Sequence, residues 1–194
     1  MSPAEKAEQL VIEFGTRNPF DIARALNIDV HMWNRPESKL PGMTCFVINR
    51  PSIFINEAYF DSLQRKNPLY TDEMRENDIN QVGAHELGHA VLHRNELRGT
   101  LRKEYEIFNV RDNMEEEANI FAAGIRIDTA TLIDLYNNSD LTLLQIASAL
   151  KVNINLLIYK HLALSSSGYQ FKRSPIEPRT NFMGNIKPSA DYNG

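Results

Sequence analysis

Apolar residues recur at three- and four-residue steps over most of this chain, which is the spacing of an amphipathic helix. In residues 4–28 this pattern continues on both sides of an Asn18-Pro19 break, so we predict two helices joined by a turn. Four later segments have the same periodicity. They predict helices over about 79–94, 113–126, 130–138 and 140–163.

One segment, about residues 30–56, has strand character instead. It contains the runs VHMW, TCFVIN and SIFIN, which are rich in β-branched and aromatic residues. Pro36, Pro41-Gly42 and Asn49-Arg50-Pro51 interrupt these runs and mark turns. We therefore predict an α+β fold that is mainly helical and carries one small antiparallel sheet.

The composition fits one globular domain. The chain has 194 residues, of which 42% are hydrophobic and 24% charged, close to the averages for folded domains. We place the domain over 1–164 and an extended tail containing Pro and Gly over 165–194. The net charge of −4 gives no general attraction to nucleic acid or to an anionic membrane, so we expect neither as a direct partner.

Two further features concern the compartment. Cys45 is the only cysteine, which excludes an intrachain disulfide and is typical of a reducing environment. The first residues, MSPAEKAEQL, lack the basic start and apolar run of a signal peptide, and no stretch approaches about 18 consecutive apolar residues. We expect a cytoplasmic protein.

The sequence His-Glu-Leu-Gly-His at 85–89 contains candidate metal ligands and a candidate general base. His85 and His89 are four residues apart, so on a helix they project from one face and can bind one metal ion. Imidazole nitrogens are ordinary zinc ligands. Glu86 lies about 100° around the helix, where its carboxylate can reach a water on the metal and act as a general base.

A third ligand must come from elsewhere. His93 lies eight residues after His85, about 12 Å along a straight helix, so both cannot bind one ion; a hydrogen-bonding role is expected for His93. Within the run Glu115-Glu116-Glu117, helical phase places only Glu115 near the apolar face. A buried carboxylate there requires a cation. The alternative is a capping box in which Asp112 is the N-cap and Glu115 its partner.

These two segments resemble a known family. GAHELGHAVLH, followed by FN at 108–109 and EEEANIFAAGI at 115–125, is similar to the paired motifs of the ImmA/IrrE zinc metallopeptidases. The resemblance implies a zincin-like, gluzincin-type domain with Zn²⁺ held by His85, His89 and Glu115. Glu86 is then the general base, and Asn119 supports a ligand histidine. Where relatives continue the second motif as LLMP, this chain has Gly-Ile-Arg-Ile-Asp at 124–128.

A peptidase also needs a hydrogen-bond donor for the oxyanion that develops during hydrolysis. Tyr70, Tyr105 and His93 are candidates, and we name Tyr105 among them as a catalytic residue. The sequence does not rank the three further.

The family is known for cleaving helix-turn-helix transcriptional repressors in mobile genetic elements. The resemblance therefore implies a zinc endopeptidase whose partner is such a repressor. Two alternatives stay open: a regulatory module that holds a repressor without cutting it, and a DNA-binding regulator. In the segments IARALNIDV at 22–30 and IASALKVNI at 146–154, the apolar residues have the spacing of a helix-turn-helix DNA-binding motif. An intact Glu86 favours the enzyme, and the negative net charge disfavours the DNA reader.

Overall fold

The computed structural model describes residues 1–99 and 107–171 of the chain. The first two elements are helices α1 (Pro3–Phe14) and α2 (Pro19–Ala25). Ser2 and Glu5 form a capping box at the start of α1, and the side chain of Asn18 accepts hydrogen bonds from the first backbone amides of α2. The predicted break at Asn18-Pro19 is therefore an N-cap followed by a proline in the first turn.

The sheet has three strands, β1 (Asp29–Trp33), β2 (Gly42–Val47) and β3 (Arg50–Asn56), in the order β1-β3-β2. β2 pairs with β3 in antiparallel fashion, as predicted, but β1 pairs with β3 in parallel. The sheet is thus mixed rather than purely antiparallel. After β1 the chain crosses to the far edge and runs in the opposite direction as β2. It then turns into β3 between the other two strands, so β3 has the same direction as β1. Since α2 leads directly into β1, the segment 22–30 is a helix and a strand, not two DNA-reading helices.

A two-residue turn joins β2 to β3. Val47 faces Arg50 in the register, and the two residues between them, Ile48 and Asn49, both have positive φ, 49° and 63°. This is the backbone twist that tight antiparallel hairpins prefer. Asn adopts it readily, whereas a β-branched residue such as Ile does so only under strain.

Helix α3 (Glu57–Lys66) precedes the long helix α4 (Asp72–Leu92). α4 covers the predicted helix over 79–94 as far as Leu92 and begins seven residues earlier. The side chain of Thr71 accepts a hydrogen bond from the backbone amide of Met74 and so caps the helix. The added turns carry mostly charged and amide side chains, which show no apolar periodicity and so give no helical signal.

The remaining described elements are α5 (Arg94–Gly99), α6 (Ile107–Arg126), α7 (Thr129–Asn138), α8 (Leu143–Ala149) and α9 (Ile154–Ser166). α6 begins six residues before the predicted start at 113. The predicted helix over 140–163 is two helices, because the chain turns between them at Lys151, where φ is 54°. The tail predicted over 165–194 lies outside the described residues from 172 onward.

Two close helix contacts build the core around α6. A Cβ atom on Gly88 of α4 would lie 3.1 Å from Cα of Ala118, and one on Gly124 would lie 2.6 Å from Cβ of Ala7 in α1. Phe121 and Leu87, both fully buried, lie in the same apolar core. Helix α6 is thus held between α4 on one side and α1 on the other.

A cluster of charged groups joins α1 to α9, the first and last of the described helices. Nζ of Lys160 in α9, only 3% exposed, lies 2.7 Å from Oε1 of Glu8 in α1. Arg17 lies 3.2 Å from Glu8 and 3.0 Å from Asp128, and it also donates to the carbonyl oxygen of Gly124 near the end of α6. Across the described ranges, no helix is both long and apolar enough to cross a membrane.

Candidate metal centre

His85 and His89 lie on the buried face of α4, and Glu115 of α6 faces them. The Nε2 atoms of the two histidines are 3.1 Å apart, and oxygens of Glu115 lie 3.2 Å from His85 Nε2 and 3.4 Å from His89 Nε2. Each residue offers one ligand atom, and all three atoms lie within 4.8 Å of one another. The helical phase predicted from the sequence thus selects the glutamate that the structure brings to the histidines.

These separations fit one metal ion. Two ligands that bind a tetrahedral zinc at about 2.0 to 2.1 Å lie roughly 3.3 Å apart. The three measured separations scatter around that value. Two imidazoles and one carboxylate, with a fourth position left for water or substrate, is also a donor set of catalytic zinc sites.

The charges in the cluster also favour a bound cation. Burial alone would raise the pKa of Glu115, but hydrogen bonds and charge from His85 and His89 lower it well below its ordinary value. Burial alone would lower the pKa of His85, but Glu115 and Glu86 raise it. The carboxylate therefore stays ionised and favours positive charge between the side chains.

Two details of Glu115 differ from the prediction. Its side chain is 52% exposed, so the carboxylate borders an opening rather than being buried. The capping-box alternative is wrong, because α6 begins at Ile107 and residue 112 lies inside the helix. Glu115 is therefore not near the helix N-terminus and does not cap it.

Glu86 lies next to the first histidine and is 7% exposed. Its carboxylate Oε2 is 2.8 Å from Oγ1 of Thr44 on β2, and the same hydroxyl lies 2.8 Å from the main-chain oxygen of Glu86. Thr44 thus connects the strand to the predicted general base. The sequence did not indicate Thr44, since nothing within its own strand distinguishes it.

Asn119 is 5% exposed and lies one turn after Glu115. Its Oδ1 is 3.0 Å from Nδ1 of His85, which is the contact with a ligand histidine that the sequence predicts. Because Oδ1 is an acceptor, it fixes the hydrogen of His85 on Nδ1 and leaves Nε2 free for a metal.

The three candidates for the oxyanion donor differ in position. Tyr105 lies outside the described residues. Tyr70 is nearly buried and donates its hydroxyl to Asp78 at 2.7 Å. His93 is 3% exposed, with one ring nitrogen 3.1 Å from Nδ1 of His89 and the other 2.9 Å from Oε2 of Glu117. Tyr70 and His93 are therefore both engaged elsewhere.

A cavity of about 170 Å³ opens beside the cluster, and His85 and Asn119 form part of its wall. Tyr159 of α9 also lines it and is hydrogen-bonded to Asn119; its pKa is raised, chiefly by burial. The sequence marked Tyr159 only as an apolar position of a helix. Most of the remaining wall is apolar: Pro41, Tyr59, Phe60, Leu63, Val82, Ala122 and Leu156.

An HExxH helix facing a glutamate from a second helix, in a mainly helical α+β fold, defines a metallopeptidase-like class of protein. The comparison with protein families agrees. Residues 69–161 match the Peptidase_M78 model, described as an IrrE N-terminal-like domain. The resemblance predicted from the paired motifs is confirmed by this match, which includes both motifs and spans just under half of the chain.

Among curated proteins the chain is similar to "Uncharacterized immunity region protein 2" of Bacillus phage phi105. The two are 28% identical over 140 residues, which cover 72% of this chain and 77% of the phage protein. No solved structure matches the chain significantly.

Proposed function

We propose that this chain is a zinc-dependent endopeptidase that hydrolyses a peptide bond in a partner protein. One observation carries the proposal: His85, His89 and Glu115 present three ligand atoms within 4.8 Å of one another, directly beside the carboxylate of Glu86. When bound, Zn²⁺ supplies Lewis acidity, which makes water a nucleophile near neutral pH and polarises the scissile carbonyl.

The residues of the chain supply the proton transfers. Glu86, oriented by Thr44, accepts the proton of the attacking water and passes it to the leaving amine. The cavity beside His85 receives a side chain of the substrate, and its mostly apolar wall suits an apolar one.

The substrate class rests on family resemblance. ImmA/IrrE peptidases cleave helix-turn-helix repressors, and the phage relative is named for an immunity region. We therefore propose such a repressor as the partner of this chain and the cytoplasm as its compartment. The formal charge of −4 favours a protein substrate over direct binding to DNA.

The first test is cleavage of the repressor encoded beside the gene for this chain. The zinc-loaded protein is incubated with that repressor, and mass spectrometry is used to detect one defined pair of fragments. A stable complex with an intact repressor would instead support the sequestering module. Binding of operator DNA by this chain, without cleavage, would support the DNA-binding alternative.

The second test separates metal binding from proton transfer. Glu86→Gln should bind zinc within about two-fold of wild type but lose cleavage by roughly 10²–10⁴-fold, because the amide cannot accept the proton. His85→Ala and Glu115→Gln should both weaken zinc binding by about ten-fold or more. Cleavage by Glu86→Gln at a rate comparable to wild type would contradict the mechanism.

A further inference from the structure

The two histidines of the candidate metal centre are supported by different partners. Nδ1 of His85 meets an amide oxygen, that of Asn119. Nδ1 of His89 meets another imidazole, because Nδ1 of His93 lies 3.1 Å from it. The second contact continues further, since Nε2 of His93 lies 2.9 Å from Oε2 of Glu117.

The direction of these hydrogen bonds follows from the ligand atoms. His89 presents Nε2 to Glu115 and His85, so a metal held there requires the hydrogen of a neutral His89 on Nδ1. That Nδ1–H donates to His93, whose Nδ1 must then be an unprotonated acceptor. The hydrogen of His93 is therefore on Nε2, where it donates to the carboxylate of Glu117. Each hydrogen bond from His89 through His93 to Glu117 therefore has only one possible donor and one possible acceptor.

Burial makes the chain of bonds rigid where it meets the ligand. His93 is 3% exposed and sits at the C-terminal cap of α4, where its backbone amide donates to the carbonyl oxygen of His89. The side chain of Glu117 is 50% exposed, so the carboxylate keeps part of its hydration. A carboxylate at the end of such a chain raises the basicity of the ligand and fixes the orientation of its ring.

We propose that Glu117, acting through His93, is a positioning residue for the metal ligand His89. This goes beyond the sequence, in which helical phase placed only Glu115 of the three glutamates near the apolar face and gave Glu117 no role. The inference rests on the metal site of the proposed function, but it does not depend on the substrate. It assigns separate roles to neighbouring glutamates: Glu115 contacts the metal, and Glu117 supports a histidine that does.

The test compares the same substitution at two neighbouring exposed positions. Glu117→Leu should weaken Zn²⁺ binding by about ten-fold, the lower end of the effect seen for such supporting groups. Glu116→Leu, the matched control, should stay within about two-fold of wild type. Affinity is measured by competition with a chelating dye. The d–d absorption of the Co²⁺-loaded proteins should differ from wild type for Glu117→Leu only.

Variants of His93 test the middle of the chain of bonds. His93→Gln can still accept from His89 and donate to Glu117, so it should bind zinc within about three-fold of wild type. His93→Leu can do neither and should lose about ten-fold or more. If that variant fails to fold, Glu117→Leu still decides, because residue 117 is half exposed and its metal-free protein should stay folded, which thermal unfolding beside Glu116→Leu checks.

Two results would separate this inference from the proposed function. Equal zinc affinities for Glu117→Leu and Glu116→Leu, in a background that cleaves its substrate, would overturn the positioning role alone. A ten-fold difference in affinity, in a background that binds zinc and cleaves nothing, would support the positioning role and count against the peptidase.

Discussion

The sheet contacts the carboxylate of Glu86, the predicted general base, through the hydroxyl of Thr44. This hydroxyl lies 2.8 Å from Oε2 of Glu86, and a hydrogen bond to a charged group contributes about 1.5–3 kcal/mol. Without it, the carboxylate has more rotational freedom and is less well placed to receive a proton. We therefore expect Thr44→Val to lower kcat by about ten-fold or more while zinc affinity stays unchanged.

Thr44→Ser is the control for this prediction, because it keeps the donor and loses only a methyl group. It should retain most of the wild-type kcat. A Thr44→Val protein with full activity, or one that has lost zinc, would show that the hydroxyl does not position Glu86.

At the same scale, helical phase and the family motifs predicted that Glu115 and Asn119 lie beside the histidines, whereas contacts between elements that neither signal marks were missed. The shared face of His85 and His89 and the phase of Glu115 follow from 100° per residue. The contacts of Thr44 with Glu86 and of Glu117 with His93 depend on how a strand or a second helix packs against α4. Periodicity within one element carries no information on that packing.

Sequence and structure predict opposite effects of Gly88→Ala on stability, because α4 and α6 approach closely at Gly88. In an isolated helix, Gly88→Ala would stabilise by about 1 kcal/mol. Here the new Cβ would meet Cα of Ala118 at 3.1 Å and its carbonyl oxygen at 3.2 Å. Backbone atoms cannot move aside cheaply, so we expect a net destabilisation of about 1–2 kcal/mol in urea unfolding.

The same substitution should weaken zinc binding, since Glu115 lies one turn from Ala118 on the helix that is pushed away. The sign of the change in unfolding free energy decides whether α4 and α6 have room for a Cβ atom at residue 88. A Gly88→Ala protein that is more stable than wild type would show that the helices have room between them.

Element boundaries were predicted less well than element types. α4 and α6 each begin about two turns before the predicted start. The first turns of α4 carry mostly charged and amide side chains, whereas those of α6 include Ile107, Phe108 and Val110, which the predicted helix left out. The parallel pairing of β1 with β3 was also missed. Strand residues indicate that a sheet forms, but the order of strands depends on how the connections cross it.

At the scale of the molecule, Glu8 connects α1 to α9 and to Arg17. Burial alone would raise the pKa of Glu8, but hydrogen bonds from Lys160 and Thr129, with the charges of Lys160 and Arg17, lower it. A lowered pKa means that the folded state favours the ionised carboxylate. This stabilisation is present above the unfolded pKa, about 4.5, and is lost as the pH falls below it.

We expect Glu8→Gln to lower the free energy of unfolding at pH 7 by about 3 kcal/mol, because Lys160 is left buried without a counter-charge. The difference from wild type should shrink as the pH falls below about 4.5. Glu13→Gln, at an exposed position of the same helix, is the control and should change stability by less than about 0.5 kcal/mol. A difference that is independent of pH would exclude the ionised pair as its source.

The pair of Glu8 and Lys160 also has a consequence for the order in which the chain folds as it is synthesised. Its members are 152 residues apart, so helix α1 leaves the ribosome long before its partner exists. Contacts between such distant residues form late and slowly. Helix α6, which carries Glu115, packs against α1 and α9, so the ligand set cannot settle until nearly all of α9 has been made. A nascent chain that ends before α9 would therefore not yet hold the three candidate ligand residues together.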